Sequence, residues 1–377
     1  MLHLRGITST LAAVLWAALS IALASPARAA ESVVQPAVDG VFAAFETHAL
    51  VGIGELHDIA DALAFYATLV RDPRFAATVG NVVVEFGASQ HQDMLDRYLA
   101  GGDVPYSEIA KVWRNTVAWD PTIMGIGYQT FFAQVRAVNL SLPPSQRIRV
   151  WLSEPPIDWS AIHTREAWKR IYDQRAHHAA DVIVREVLDR GDKALVIYGI
   201  GHFYPPPPWP STMPVPSAGT ETLGELVERR YPDAFYRITL YTGYDIPDCS
   251  AALEAEMNWP TGVLVAPVQG TPLEDALMRP ECMNQSVRGM DPLPPEEEVA
   301  QLLQLFYEID TGVAGDALLY LRPAAELMRT PVDPTIWLDT DYDEELRRRF
   351  QIRNGEPMYP LLNTMPFYAA PPQPWTR

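Results

Sequence analysis

Between residues 50 and 268 the chain alternates short apolar, β-branched runs with longer stretches in which apolar residues recur every three or four positions. That alternation predicts βα units and a mostly parallel sheet flanked by helices, an α/β fold. Leu50-Val51-Gly52-Ile53-Gly54 reads as a first strand. A helix follows over 60–70, with Leu63, Tyr66, Ala67 and Val70 on one face. Asn81 to Phe86 makes a second strand and 90–99 a second helix. A third strand is expected over 147–152, a long helix over 165–188 and a fourth strand over 194–198. A helix over 221–230 and strands over 235–241 and 262–268 complete the series. Residues 101–145 read as a helical insertion, with Ile109, Val112, Trp113 and then Phe131, Phe132, Val135 at helical spacing.

Beyond residue 270 the pattern degrades. Pro294, Pro295 and Glu296 to Glu298 read as a proline-initiated helix start with an acidic first turn, which makes that acidic run a solvated helix end. Val299 to Phe306 carries its apolar face, and the tail from Pro357 is expected to wrap the surface. The prolines at 205–208, followed by Trp209 and Pro210, form a stiff polyproline-like loop. It either overhangs a site at the end of the fourth strand or is a surface connection. The expected organisation is a leader over 1–30, an α/β domain over 31–270 and an irregular extension over 271–377 packed on it.

The leader reading rests on Arg5, the apolar run 11–23 and the small-x-small pattern Ala27-Arg28-Ala29. The run is shorter than the roughly 20 residues that span a bilayer, so cleavage near Ala29 or Ala30 and a periplasmic or secreted mature protein are expected. Two cysteines, Cys249 and Cys282, are either a disulfide of an oxidising compartment or two buried thiols. A composition of 48% hydrophobic and 20% charged residues is that of a globular chain. The net charge of −18 argues against nucleic acid and anionic lipid as partners and favours a small neutral or cationic ligand. Oligomeric state is not legible.

Parallel α/β sheets bind ligands beyond the carboxyl ends of their strands. The first strand ends in Gly54-Glu55-Leu56-His57, the second in Glu85, the third in Ser153-Glu154 and the fourth in Gly199-Ile200-Gly201-His202. Two strands therefore share a G-x-x-H ending, and glycine permits the tight turn and close backbone approach such an ending needs. Glu55, His57, Glu85 and His202 are the candidate catalytic residues. They support two chemistries. His57, His202 and Glu55 can ligate a divalent metal that acidifies bound water, or a histidine backed by a glutamate can act directly as a general base. No G-x-S-x-G elbow, dinucleotide fingerprint or Walker motif occurs.

Val51-Gly52-Ile53-Gly54-Glu55-Leu56-His57-Asp58, Val83-Val84-Glu85-Phe86, Gln92 and Leu95-Asp96-Arg97-Tyr98-Leu99 resemble the ChaN-like haem-binding uptake proteins. Their wider superfamily includes erythromycin esterases and the Tiki and TraB proteins. Gly199-Ile200-Gly201-His202-Phe203 is similar to the second G-x-x-H of the Tiki group. The resemblance covers about residues 48–242 and implies an α/β core with a pocket at Glu55, His57, Glu85 and His202. It implies no single activity, since the esterases use histidine and glutamates without an obligatory metal, Tiki proteins are metal-dependent proteases and ChaN-like members bind haem. One residue, Leu56, separates Glu55 from His57, where the esterase pattern has two. That favours the ChaN-like branch. The Trp-rich segment 101–145 and the long C-terminal extension depart from compact haem-uptake members.

Arg175 matches an arginine that the superfamily often places before its second histidine. It could clamp a substrate carboxylate or face solvent. Glu154 and Asp158 either join the pocket or, for Asp158, cap a helix. Trp113, Trp119 and Trp151 line an aromatic pocket or pack in the core. His177 and His178, adjacent on a helix, point to different faces and read as surface residues. His91 and His163 are unassigned. The expected function is an exported hydrolase of a small-molecule ester, lactone or amide, with non-covalent haem binding as the alternative, because no C-x-x-C-H attachment motif is present.

Overall fold

The structure, a computed structural model, describes residues 31–118, 124–204, 221–244, 246–279, 282 and 315–355. The strands are β1 Val33–Pro36, β2 Leu50–Glu55, β3 Asn81–Ala88, β4 Arg149–Glu154, β5 Ala194–Gly199, β6 Phe235–Leu240, β7 Val263–Ala266 and β8 Ala317–Tyr320. Helices of eight or more residues are α1 Ala37–Thr47, α2 Ala60–Arg71, α3 Gln92–Leu99, α4 Ile126–Ser141, α5 Arg165–Tyr172, α6 Arg175–Glu186, α7 Pro247–Met257 and α8 Thr340–Asn354. The strands form one sheet in the order β1-β7-β8-β6-β2-β5-β3-β4. From β8 to β4 every pairing is parallel, while β7 pairs antiparallel with both β1 and β8. The α/β expectation is met.

Every residue of β2, β3 and β5 is buried, which is why these segments are nearly continuous apolar runs rather than alternating ones. Their side chains still divide by parity. Val51, Ile53, Val82 and Val84 pack with α1, α2 and α4 on one face. Leu50, Val83 and Val196 pack with Ala179, Val182 and Ile183 of α6 and with Leu223 and Leu226 on the other.

Three expectations change. The described part of 101–145 includes helices, but the long one, α4, belongs to the crossover between β3 and β4 rather than to an insertion. Its Phe131, Phe132 and Val135 lie in the same core as Phe86 and Leu63. The helix expected over 165–188 is two, broken at Asp173 and Gln174. Trp168 of α5 enters a separate cluster with Val117, Ile157, Trp159 and Ile162, whereas α6 lies under the sheet, so one straight helix cannot serve both. Past residue 270, where the βα pattern degrades and an irregular extension was expected, β8 inserts between β6 and β7, and α8 follows.

Cys249 and Cys282 form a disulfide with Cα atoms 5.8 Å apart, which settles the pair left open above. No helix among the described residues is long and apolar enough to cross a membrane. The leader, the proline loop at 205–210, Trp119, the helix start at 293–306 and the tail from 357 lie outside the described residues.

Candidate functional site

The strands β2, β5, β3 and β4 lie side by side and run parallel, so their carboxyl ends share one edge. Glu55 is the last residue of β2, and Glu154 the last of β4. The β3–β4 register shifts between Val84 and Ala88, and such an irregularity re-aims the side chain it carries. Here that side chain is Glu85. His202 sits in the single 3-10 turn Ile200–His202 that follows β5.

The two glycines that open the G-x-x-H motifs serve each other's motif. Gly54 packs under Ile200, where a Cβ would lie 3.0 Å from the isoleucine Cγ1 and 3.1 Å from its Cα. Gly199 packs against His57, where a Cβ would lie 3.1 Å from Nε2 and 3.4 Å from Glu85 Oε2. Glu55 is paired in register with Gly199. The pattern therefore repeats because two adjacent strand ends interlock.

Glu85 is the hub. Its Oε1 accepts from Arg175 Nη2 at 2.6 Å and lies 3.3 Å from His202 Nε2. Its Oε2 accepts from the Gly199 backbone N–H at 2.7 Å and stands 4.0 Å from His57 Nε2. Burial opposes ionisation of this carboxyl, but the neighbouring imidazoles of His202 and His57 and the Arg175 guanidinium outweigh it. The group is held well below the usual carboxylate range. Arg175 Nε also donates to both oxygens of Glu154, at 2.7 and 2.9 Å. Burial raises Glu154, against the pull of Arg175. The two carboxylates share one cation, but Glu85 faces both imidazoles directly, whereas at Glu154 burial and the neighbouring charge of Glu85 outweigh Arg175 and the weaker pull of His202.

Glu55 orients His57. Its Oε1 accepts from His57 Nδ1 at 3.0 Å and from Tyr128 Oη at 3.1 Å, and its Oε2 accepts from Tyr66 Oη at 3.2 Å. With Nδ1 turned to Glu55, Nε2 is the nitrogen turned towards Glu85. Both histidine side chains are about a quarter exposed (25%) while Glu55 and Glu85 are buried. A solute can reach the imidazoles but not the carboxylates behind them. Tyr198 packs edge-on to His202 with ring centroids 5.4 Å apart, and its hydroxyl meets Ser153 Oγ. Burial pushes the phenols of Tyr66, Tyr128 and Tyr198 up, so all three stay protonated donors.

The structure thus brings Glu55, His57, Glu85, His202, Arg175 and Glu154 together. Arg175 is buried and engaged by two carboxylates of the chain rather than facing solvent. Asp158 caps the turn Trp159–Ala161 through Ser160. Trp113 stacks on Phe132, and Trp151 donates to Asn81, so both are core residues. His177 is exposed beside Glu221, whereas His178 is half-buried against Ser89. Sequence reasoning missed the tyrosines. Tyr66 stood only as part of an apolar face, although a buried phenol needs a partner for its hydroxyl.

As a metal site the donor set fits poorly. Among the described residues no group of three or more His, Cys, Asp or Glu side chains is arranged to hold an ion. The Glu85 oxygens already accept from Arg175 and Gly199, and those of Glu55 from two tyrosines and His57.

No family model matches the chain, and no curated protein matches it. Among solved structures it is similar to the type III effector HopBA1, at 14% identity and a TM-score of 0.34, over 57% of this chain and 88% of that one. It is also similar to a Bacillus cereus protein, at 11% identity and a TM-score of 0.37, over 55% and 69% of the two chains. A third similar structure is ChaN of Campylobacter jejuni with cofacially bound haem, at 11% identity and a TM-score of 0.31, over 54% and 84%. These are distant, fold-level likenesses.

Proposed function

We propose that this chain is an exported hydrolase of an ester, lactone or amide bond in a small molecule, with His57 as general base. The observation that carries the reading is the pair of part-exposed imidazoles flanking the buried carboxylate of Glu85. Glu55 fixes His57 with Nε2 as the base, as a carboxylate does in other histidine-dependent hydrolases. A water at Nε2 gives its proton to His57 while its oxygen bonds to the substrate carbonyl carbon. The tetrahedral intermediate then expels the alkoxide or amine, which takes that proton from the imidazolium. His202, held against Glu85 and Tyr198, is the hydrogen-bond donor to the developing oxyanion. Arg175 and Glu154 position Glu85 from behind and do not touch substrate.

Export is part of the proposal. It is supported by the signal-like first thirty residues and by the disulfide, since disulfides persist in oxidising compartments.

The competing ligand class is haem, supported by the ChaN-like motif and by the same two accessible imidazoles. Purified mature protein separates the readings. Turnover on a panel of aryl esters, lactones and amides, with an unshifted Soret band on hemin titration, supports hydrolysis. A saturable Soret shift with no turnover replaces it by haem binding.

A further inference from the structure

The His57–Glu55 pair closes a ring with a residue some seventy positions further along the chain. Tyr128 Oη donates to Glu55 Oε1 at 3.1 Å and accepts from the backbone N–H of Asp58 at 3.0 Å. Asp58 directly follows His57 and is a buried non-glycine residue at positive φ, +71°, so its peptide is held in a conformation L-residues seldom adopt. One hydroxyl therefore ties both the side-chain partner of His57 and the backbone on its C-terminal side. The Tyr66 hydroxyl donates to the other oxygen of Glu55.

Tyr128 lies in the first turn of α4, and that turn is held by a segment from the far end of the chain. The Ile126 N–H donates to the Pro331 carbonyl at 2.9 Å, and the Gly127 N–H to Thr330 Oγ1 at 2.9 Å. These are two of the amides that a helix start leaves without intrahelical partners. The same segment grips the His57 loop. Thr330 N–H donates to the Asp58 carbonyl at 2.7 Å, Ala60 N–H to the Met328 carbonyl at 2.8 Å, and Arg329 to the His57 carbonyl at 3.2 Å. Thr330 is buried, and both its backbone and its hydroxyl are used.

We propose that Tyr128 is a positioning residue that sets the orientation and tautomer of His57, and that Thr330 acts through it by fixing the start of α4 against the Asp58 peptide. This rests on the reading of His57 as general base, but its geometric content stands apart from any reaction.

The test is a comparison of wild type, Tyr128→Phe, Thr330→Val and Thr330→Ser. The readouts are two-bond 1H–15N correlation spectra of histidine-labelled protein, exchange of the Asp58 amide, and kcat and KM on whichever ester the wild type turns over. Wild type should show His57 protonated at Nδ1 and a protected Asp58 amide. Tyr128→Phe should average the two tautomers, expose the amide and lower kcat by about tenfold to a hundredfold at nearly constant KM. Thr330→Val should move the same readouts less, and Thr330→Ser, which keeps the acceptor, should restore them. If Tyr128→Phe is too unstable to purify, the contrast between Val and Ser at Thr330 decides. Wild-type tautomer and amide protection in Tyr128→Phe, or equal behaviour of Val and Ser at position 330, overturns the proposal. Absence of turnover in wild type with the predicted tautomer shifts intact would remove the hydrolase reading alone.

Discussion

Gly199 faces His57 so closely that a Cβ on the glycine would stand 3.1 Å from the imidazole Nε2. The same residue donates its N–H to Glu85 at 2.7 Å. One position without a side chain thus admits the proposed base and binds the carboxylate beside it.

Gly199→Ala should cost function more than fold. The methyl group meets the tip of a part-exposed histidine, which can give way by turning off Glu55. Turnover should fall at least about tenfold, with a small change in melting temperature. Gly54→Ala should do the reverse, because its methyl group would press on the Ile200 backbone, and such overpacking costs about 1–3 kcal/mol. Thermal denaturation and steady-state rates on the two variants separate these outcomes.

Arg175→Met leaves Glu85 and Glu154 buried without their shared cation. Breaking a buried ion pair from one side costs about 3–5 kcal/mol, measurable by urea denaturation. Arg175→Lys should recover only part of this, since a single ammonium cannot reproduce the fork that spans two carboxylates.

Acid should unfold the wild type partly through Glu85. Its folded-state pKa is depressed, so its contribution is full above the ordinary carboxylate value of about 4.3. It is lost as pH falls through the folded value. Glu85→Gln should be less stable at neutral pH, with a shallower loss below pH ~4. Glu154 is raised, so its contribution is present below the ordinary value and is lost as pH rises through the folded one. Denaturation midpoints across pH 2–8 (about the range where carboxylates titrate) for the two Gln variants should therefore bend in opposite senses.

The pairing of Cys249 with Cys282, 33 residues apart, should contribute about 3–4 kcal/mol by the chain-entropy estimate. Thiol titration of unfolded protein without reductant should find no free cysteine. Reduction, or Cys249→Ser, should lower the melting temperature by the corresponding amount.

The parts of this picture were unequally legible beforehand. Glu55, His57 and His202 could be placed because a glycine and a histidine closing a buried apolar run mark a strand end. Glu85 could be singled out by the lone charge after three consecutive valines, but it lies within β3, which runs on to Ala88, rather than at the strand end expected of it. The role of Arg175 could not. A helical arginine looks the same whether it faces solvent or sheet, and the break at Asp173 and Gln174 that starts α6 at Arg175 follows from two competing cores. Tyr128 and Thr330 were invisible for another reason. Their partners are about seventy and over two hundred and seventy positions away, and β8, which precedes the Thr330 segment, is four residues long with no periodicity to read.

The most direct measurement is the initial rate on an ester and lactone panel for wild type, His57→Gln and His202→Gln after exhaustive dialysis against a chelator. The account predicts that dialysed wild type turns over a panel member, and that each variant loses about a hundredfold or more in kcat while remaining folded. Full activity in both variants, or wild-type activity that vanishes with the chelator and returns with added metal, would contradict it.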